Sequence, residues 1–493
     1  MDASGSAVPG ASLTISQAAT GFTQTTTASE SGEYIFPVLQ PGTYQLRVSA
    51  KGFAVASFES VIIAVGRTTD LKVAMKVGEI TETVTVSTQG EVLETTTNTL
   101  STTVTPEGIE NLPLSGREVL PFAQLVPGAV SGGDLRFTTY NALPNGAISI
   151  TVDGVDNNFQ RYRTSTTGFY TAVPLREGAF DELTVSTDSL TADAGAEGSV
   201  QVRLAVKRGT NTFHGNAFWQ AQNSYFNANT YTNNALGIKK PPFHLNDYGG
   251  SLGGPIWKDK VFFFFHYEEE ANPFSSTTSL LIPTLPAQQG NFTYIGTDNA
   301  QHSVNVLQLA AAQTPSLPSQ VDPTISSILT QLNTYSKNQA LTPVPGLPYM
   351  TQFSFSQRQG NTNRYPTARL DYQMTPKIAV RGSWDLYWRK IDNVQPYPGD
   401  NFESGGFKST YYTGMLGFDW IFSPRHTNQF SFGVLGTVEE FNPGNNLNEF
   451  QSQGNRQIAA ASLAAGQGSL FQPIIPQLHF STATKQSGVE GLR

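Results

Sequence analysis

The chain has 493 residues, room for about three domains at roughly 150 residues each. Only 14% of the residues are charged, the net charge is −8, and there is no cysteine. This composition excludes a disulfide scaffold, a zinc ribbon and a cysteine nucleophile, and disfavours a nucleic-acid binder, which needs a clustered basic surface. The chain carries 31 Phe, 18 Tyr, 5 Trp and 45 Gly, yet its mean hydropathy is −0.24. Aromatics and glycines mixed with uncharged polar residues point to strands rather than helices. No apolar run approaches the ~18 residues of a transmembrane helix. Met1–Gly5 lacks the basic start and apolar stretch of a signal peptide.

Residues 1–77 read as short strands broken by turns. Leu13 and Ile15 alternate with Ser12, Thr14 and Ser16. Gly32–Phe36 leads to a Pro41-Gly42 turn, after which Tyr44, Leu46 and Val48 alternate with Thr43, Gln45, Arg47 and Ser49. Val61–Val65 and Thr69–Val77 complete the pattern, which predicts a β-sandwich. The stretches Val8-Pro9-Gly10-Ala11, Glu30-Ser31-Gly32-Glu33-Tyr34, Leu39-Gln40-Pro41-Gly42-Thr43-Tyr44 and Gly52-Phe53 resemble the carboxypeptidase regulatory-like domain. The resemblance implies a non-catalytic binding or spacer module whose first strand, normally before Asp2, is missing here.

Glu79–Ser87 is an alternating strand by pattern. Farther on, Thr105 can cap a short helix with Pro106 in its first turn. Val119, Leu120, Phe122, Ala123 and Val126 have helical spacing up to Pro127-Gly128. Ile148–Asp153 is a strand closing on an Asp153-Gly154 turn, and Glu182–Ser186 and Val200–Val206 are further strands. Asp153 and Asp156 could be imagined as a calcium pair, but Asp-Gly turns are too common to carry that reading. Within this block Asn111-Leu112-Pro113-Leu114-Ser115-Gly116-Arg117, Val126-Pro127-Gly128, Val152-Asp153-Gly154-Val155-Asp156-Asn157 and Asp193-Ala194-Gly195-Ala196-Glu197-Gly198 stand in the order of an α+β plug domain. They resemble TonB-dependent outer-membrane receptors, nearest to the Oar-like branch that carries a regulatory-like domain in front. The resemblance makes Glu82-Thr83-Val84-Thr85-Val86-Ser87 the candidate TonB box, a segment captured by a periplasmic energy-coupling protein through strand pairing. It marks Asn111, Leu112, Pro113, Gly116, Arg117, Asp153, Gly154, Asp156, Gly195 and Gly198 as plug motif residues.

Beyond residue 210 the alternation lengthens. Ile378, Val380, Trp384, Leu386 and Trp388 alternate with Ala379, Arg381, Ser383, Asp385, Tyr387 and Arg389. Tyr412, Leu416, Phe418, Trp420 and Phe422 alternate with Tyr411, Thr413, Met415 and Asp419. Strands of ten or more residues, apolar on one face and polar on the other, suit a bilayer-spanning antiparallel β-barrel. Trp384, Trp388, Tyr412, Trp420 and Phe422 suit its membrane-facing aromatic girdles. Seven strands are predicted, near 212–222, 245–254, 260–268, 366–374, 377–389, 410–422 and 427–438. Short turns alternate with long loops, and 270–364 reads as one long external loop with helices near Val304–Gln313 and Ile325–Leu332. Plugged barrels of this type have about 22 strands, so the chain is expected to be part of a roughly twofold longer protein.

The sequence thus predicts a mainly β chain in three parts: a sandwich at 1–77, TonB box and plug at 78–209, and an incomplete barrel at 210–493. The Gly249–Gly254 cluster lacks the Gly-Lys-Ser/Thr ending of a phosphate loop. His266 and Glu269 have zinc-like spacing, but three residues along a strand put them on opposite faces. No catalytic residue, metal site or cofactor is expected. The resemblance implies a receptor of the bacterial outer membrane, with outer-membrane lipid, a TonB-type protein and an extracellular ligand as partners. Aromatic, amide-rich loops suggest a glycan or a peptide as that ligand. The competing reading is a surface binding or adhesion protein that uses the barrel as an anchor.

Overall fold

The computed structural model describes the chain except residues 3, 79–82, 87–100, 113–115, 131–137, 143–147, 160–170, 188–199, parts of 230–241, 338–340, 393–405, 425 and 443–493. The first unit is a five-stranded sheet of β1 (Ser12–Gln17), β2 (Phe22–Thr27), β3 (Gly42–Ser49), β4 (Val55–Ile63) and β5 (Thr83–Val86), in the order β2-β1-β3-β4-β5. Leu13, Ile15, Tyr44, Leu46, Val48 and Phe58 make its buried face. The second layer is irregular chain, in which Tyr34, Phe36 and Leu71 pack beside the buried Val73 and Met75. The strand expected over Thr69–Val77 is absent there. Its backbone finds partners one at a time, with Met75 N–H donating to the Met1 carbonyl (2.8 Å) and Ala54 N–H to the Lys76 carbonyl (2.9 Å), so no ladder forms. β4 begins six residues before the expected Val61.

The second unit is built on β6 (Ser101–Val104), β9 (Ile148–Val152), β10 (Val155–Asp156), β11 (Phe180–Ser186) and β12 (Val200–Val206), with a minor hairpin of β7 (Ala129–Val130) and β8 (Thr139–Tyr140). The sheet order is β10-β9-β12-β11-β6, with β9 and β12 parallel. β11 and β12 are buried on both faces, as sheets covered by other elements are. The helix Pro106–Asn111 forms as predicted, with the Thr105 side chain accepting from Gly108 N–H. The helix expected over 117–126 shrinks to a 3₁₀ segment, Leu120–Leu125, because Pro121 sits in its first turn and Pro127 follows it. Leu120, Phe122 and Ala123 still bury against the sheet.

The third unit is one curved antiparallel sheet. Its strands are β13 (His214–Asn223), β14 (His244–Trp257), β15 (Val261–Pro283), β18 (Leu341–Val344), which pairs only with β19, β19 (Leu347–Arg364), β20 (Thr367–Thr375), β21 (Ile378–Asp392), β22 (Gly406–Ser423) and β23 (His426–Asn442). β19 and β20 lie end to end: Arg364 pairs with Glu269 and Thr367 with His266 of the same neighbour, β15. Crossing the sheet, seven strands are met, β13-β14-β15-β19/β20-β21-β22-β23. Leu370, Trp384, Trp388, Leu416, Trp420, Phe422, Phe430 and Phe432 are exposed on its outer face. Arg369, Ser383, Asp385, Tyr387, Thr413 and Asp419 are buried on the other, where Arg369 meets Asp153 of the second unit.

The long loop expected at 270–364 is shorter than predicted, since β15 runs on to Pro283 and β19 begins at Leu347. Between them lie a hairpin of β16 (Asn291–Ile295) and β17 (Gln301–Asn305), the helices Val306–Gln313 and Pro323–Ser336, and β18 (Leu341–Val344). This insertion emerges at the end of the sheet opposite the short turns 258–260 and 376–377 and the paired strand ends Ser423 and His426. The first unit packs at the short-turn end, where Asn211 Nδ2 donates to Asp259 (2.6 Å) and Asn211 N–H to the Ala19 carbonyl (2.7 Å).

Candidate functional site

The chemistry concentrates where the second unit meets the concave wall. Gly116 and Arg117 both have positive φ, +94° and +56°. The turn carries the buried Arg117 guanidinium over the Phe218 ring (3.7 Å to its centroid), within 3.4 Å of Glu268 and 3.3 Å of Glu177. Arg176, which sequence reasoning missed, lies alongside. It donates to Glu268, to Asp247 (2.9 Å) and to the Gly116 carbonyl (2.8 Å), and its guanidinium covers the Tyr365 ring at 4.6 Å. Glu268 is fully buried. Two arginines of one unit are thus neutralised by two carboxylates of the other, in a site closed to water. Such a set holds firmly only while complete, because removing one partner leaves a buried charge unpaired.

A second ion group lies toward the short-turn end. Asp153 (φ +47°) and Gly154 (φ +85°) form the tight turn predicted between β9 and β10. The Asp153 carboxylate accepts from Arg369 Nη1 (3.1 Å) and from Val206 N–H (3.3 Å). Arg369 also grips Asp371 through Nε and Nη2, both at 2.9 Å. Asp156 instead accepts from Asn158 (2.9 Å from its N–H), so the two aspartates serve different turns and make no cation pair. From the ring under Arg176, Tyr365, Tyr387 and Tyr411 stack in series, and Phe159 of the second unit meets Tyr411 edge-on at 5.4 Å.

The remaining predicted residues are distributed as follows. Asn111 and Leu112 end the helix, with Asn111 Nδ2 donating to the Glu107 carbonyl (2.8 Å). Pro113, Gly195, Gly198, Glu82 and Ser87 lie outside the described residues. Thr83–Val86 form β5, in parallel register with β4. Trp384, Trp388, Trp420 and Phe422 are exposed on the outer face, and Tyr412 is half-buried because its ring stacks on Trp384 at 5.4 Å. His266 is buried against Gly178, while Glu269 pairs with Arg364 (2.8 Å). Among the described residues no group of three or more His, Cys, Asp or Glu could hold a metal ion.

A third contact joins the first unit to the second. The Val65 N–H donates to the Glu182 carboxylate, Arg203 to the Gly66 carbonyl (3.1 Å) and Arg208 to the Pro41 carbonyl (2.7 Å). Burial pushes the Glu182 carboxyl up to about 7, against the opposing pull of the Val65 N–H.

With this geometry in hand, comparison with known proteins is decisive for the wall. Residues 205–492 match the outer membrane beta barrel domain. The chain belongs to the outer-membrane β-barrel family. Residues 1–76 of this outer-membrane barrel protein match the carboxypeptidase regulatory-like domain. The TonB-dependent transporter Oar of Myxococcus xanthus is 22% identical over 278 residues, 52% of this chain and 25% of that protein. The chain therefore spans about a quarter of the length of that curated relative. Among solved structures, the outer membrane transporter YddB of Escherichia coli aligns over 68% of this chain and 38% of its own at 12% identity and a TM-score of 0.42. A mutant ferric enterobactin receptor PfeA of Pseudomonas aeruginosa aligns over 69% and 41%, at 12% identity and a TM-score of 0.37. These relatives are transporters and receptors, not enzymes.

Proposed function

We propose that this outer-membrane barrel protein is an energised receptor. It binds an extracellular ligand and admits it when the second unit, acting as a plug, is displaced by a TonB-type periplasmic partner. The observation that carries the reading is the buried ion set of Arg117 and Arg176 with Glu268 and Asp247, which seats the plug on the wall. A seat of complementary charges gives two discrete states, locked or released, rather than gradual loosening. Glu82–Ser87 is the segment the partner seizes, and Trp384, Trp388, Tyr412, Trp420 and Phe422 face lipid. The ligand is a neutral glycan or peptide, in keeping with the insertion between β15 and β19, where Asp298, Asp322 and Lys337 are the only charged residues.

The insertion also supports the second reading, surface attachment with the barrel as anchor. Deleting Glu82–Ser87 separates the two. Uptake of a labelled oligosaccharide or peptide by cells should fall to background, while binding of that ligand at the cell surface persists. Uptake that survives the deletion rules out the energised reading.

A further inference from the structure

Seen from the wall, the ion set is lopsided. Asp247 of β14 and Glu270 of β15 are register partners, and Glu268 is the next residue of β15 on the same face. Like charges opposite each other across a strand pair repel, so these three carboxylates need cations. Among the described residues, both arginines that pair with them belong to the second unit, and the wall supplies only His266, 3.6 Å from Glu268. Arg117 also shares its charge with Glu177 of its own unit (3.3 Å). Asp247 is 3% exposed, yet its Oδ1 has no hydrogen-bond partner. The wall therefore carries more negative charge than its present occupants answer.

Both occupants also lie on an aromatic floor that belongs to the wall. Phe218 of β13 is under Arg117 at 3.7 Å, and Tyr365, at the joint of β19 and β20, is under Arg176 at 4.6 Å. Tyr365 is backed by Tyr387, stacked on it at 5.1 Å and 2°, and Asn363 Nδ2 donates to Glu270 (3.2 Å). Rings and acids are thus held by the wall itself. A ring face rimmed by carboxylates suits a guanidinium, whose plane stacks while its N–H forks reach the oxygens. An ammonium is a compact point charge with no plane to stack.

We propose that the wall carries two guanidinium sockets, Phe218 with Glu268 and Tyr365 with Glu268, Asp247 and Glu270, and that a peptide ligand in passage fills them with an arginine side chain. Arg117 and Arg176 occupy the sockets while the second unit is seated and vacate them when it is displaced. The passenger's arginine then replaces the plug's arginine on the same carboxylates, so the acids do not stay unpaired during passage. The inference rests on the energised-receptor reading and deepens it. Of the two ligand classes it selects the peptide, one that is neutral overall because its arginine is offset by an acidic group. The insertion meets the uncharged body of that peptide outside, and the sockets read its basic side chain within.

The socket is tested first by emptying it. Arg176→Ala in the full-length protein should speed hydrogen exchange in β11 and β12. Ethylguanidinium should restore most of the lost protection, and ethylammonium, of equal charge, should restore little. Arg117→Ala gives the same comparison over Phe218 if the first variant does not assemble. No restoration, or equal restoration by both cations, overturns the proposal. Passage is tested in cells that carry the full-length protein. The probes are a labelled N-acetylated alanine–arginine–alanine peptide, neutral with its free carboxylate, and its citrulline counterpart, kept neutral by a C-terminal amide. The arginine peptide should enter faster by about tenfold, and Tyr365→Leu should narrow that ratio. Equal entry of the two peptides into cells with the parent protein overturns the proposal. So does entry of a labelled oligosaccharide where neither peptide enters, a result that leaves the energised reading standing. Entry that survives deletion of Glu82–Ser87 defeats the energised reading itself, and the proposal with it.

Discussion

The second unit, the plug of the proposed reading, meets two neighbours and holds them by opposite means. Against the barrel wall it uses buried charge: Arg117 and Arg176 on Glu268 and Asp247, and Asp153 on Arg369. Against the N-terminal unit it uses individual bonds that run largely to backbone groups, Val65 N–H to Glu182, Arg203 to Gly66 and Arg208 to Pro41. The first interface is cooperative, because each ion depends on its partners for compensation. The second comes apart bond by bond. Under the proposed pull from the N-terminal side, the weak attachment would be met before the strong one.

The sharpest way to break this contrast is at Glu268. Glu268→Ala leaves Arg176 and Arg117 without their shared carboxylate and should cost about 3–5 kcal/mol of plug seating. It should appear as faster hydrogen exchange in β11 and β12 with the outer-face strands unchanged. An exchange rate equal to that of the parent would mean that the charges do not seat the plug. A smaller effect is expected at Gly178, where an added Cβ would lie 2.4 Å from His266 Cε1. Gly178→Ala should cost about 1–3 kcal/mol by overpacking, read in the same exchange experiment, and His266→Ala in the same chain should restore part of it.

The smallest effect is at the other interface, and it depends on pH. The Glu182 carboxyl, held up to about 7, takes up a proton when it is buried. Stability from a raised carboxyl is fully present below its ordinary value near 4.5 and is lost as pH rises through about 7. The docked N-terminal unit should therefore loosen by about a few-fold between pH 5 and pH 8, followed as protease sensitivity of residues 64–66. Glu182→Gln should flatten that dependence while the Glu268 effect stays intact. A pH dependence that survives the substitution would place its origin elsewhere.

How much of this could be read from the sequence follows from what each strand faces. β20 to β23 were legible because an exposed apolar face and a buried polar face force a period of two, seen in Leu370, Trp384 and Trp420 against Arg369, Asp385 and Asp419. Most of β19 and the far half of β15 were not, since beyond the bilayer neither face needs to be apolar and runs such as Gln357–Arg364 read as loop. Arg117 came from a motif. Arg176 had no motif around it, yet a signal existed: in a chain with 14% charged residues, a lone Arg-Glu between Leu175 and Gly178 and three successive acids at Glu268–Glu270 are out of place unless they meet. The irregular second layer of the first unit was misread because Thr69–Val77 has strand-like spacing, and spacing alone does not reveal whether a neighbouring strand is there to pair with.

The length of β15 gives the molecule reach. Its ladder with β14 ends at Ala271 and a single bridge joins Phe274 to Phe243, but the strand continues to Pro283 paired with β19. Beyond Pro273, where β21 also ends opposite Gly360, β15 and β19 run on as a stalk joined near its far end by β18, and at ~3.3 Å per residue it extends roughly 30 Å along the strand. The insertion at its far end is tied together by the reciprocal amide pair of Gln288 and Asn333 (2.9 and 2.7 Å). In the proposed orientation a diffusing ligand meets this tip before it meets the pore. The stalk then sets a capture radius wider than the opening it serves, and search and passage become separate tasks in separate places.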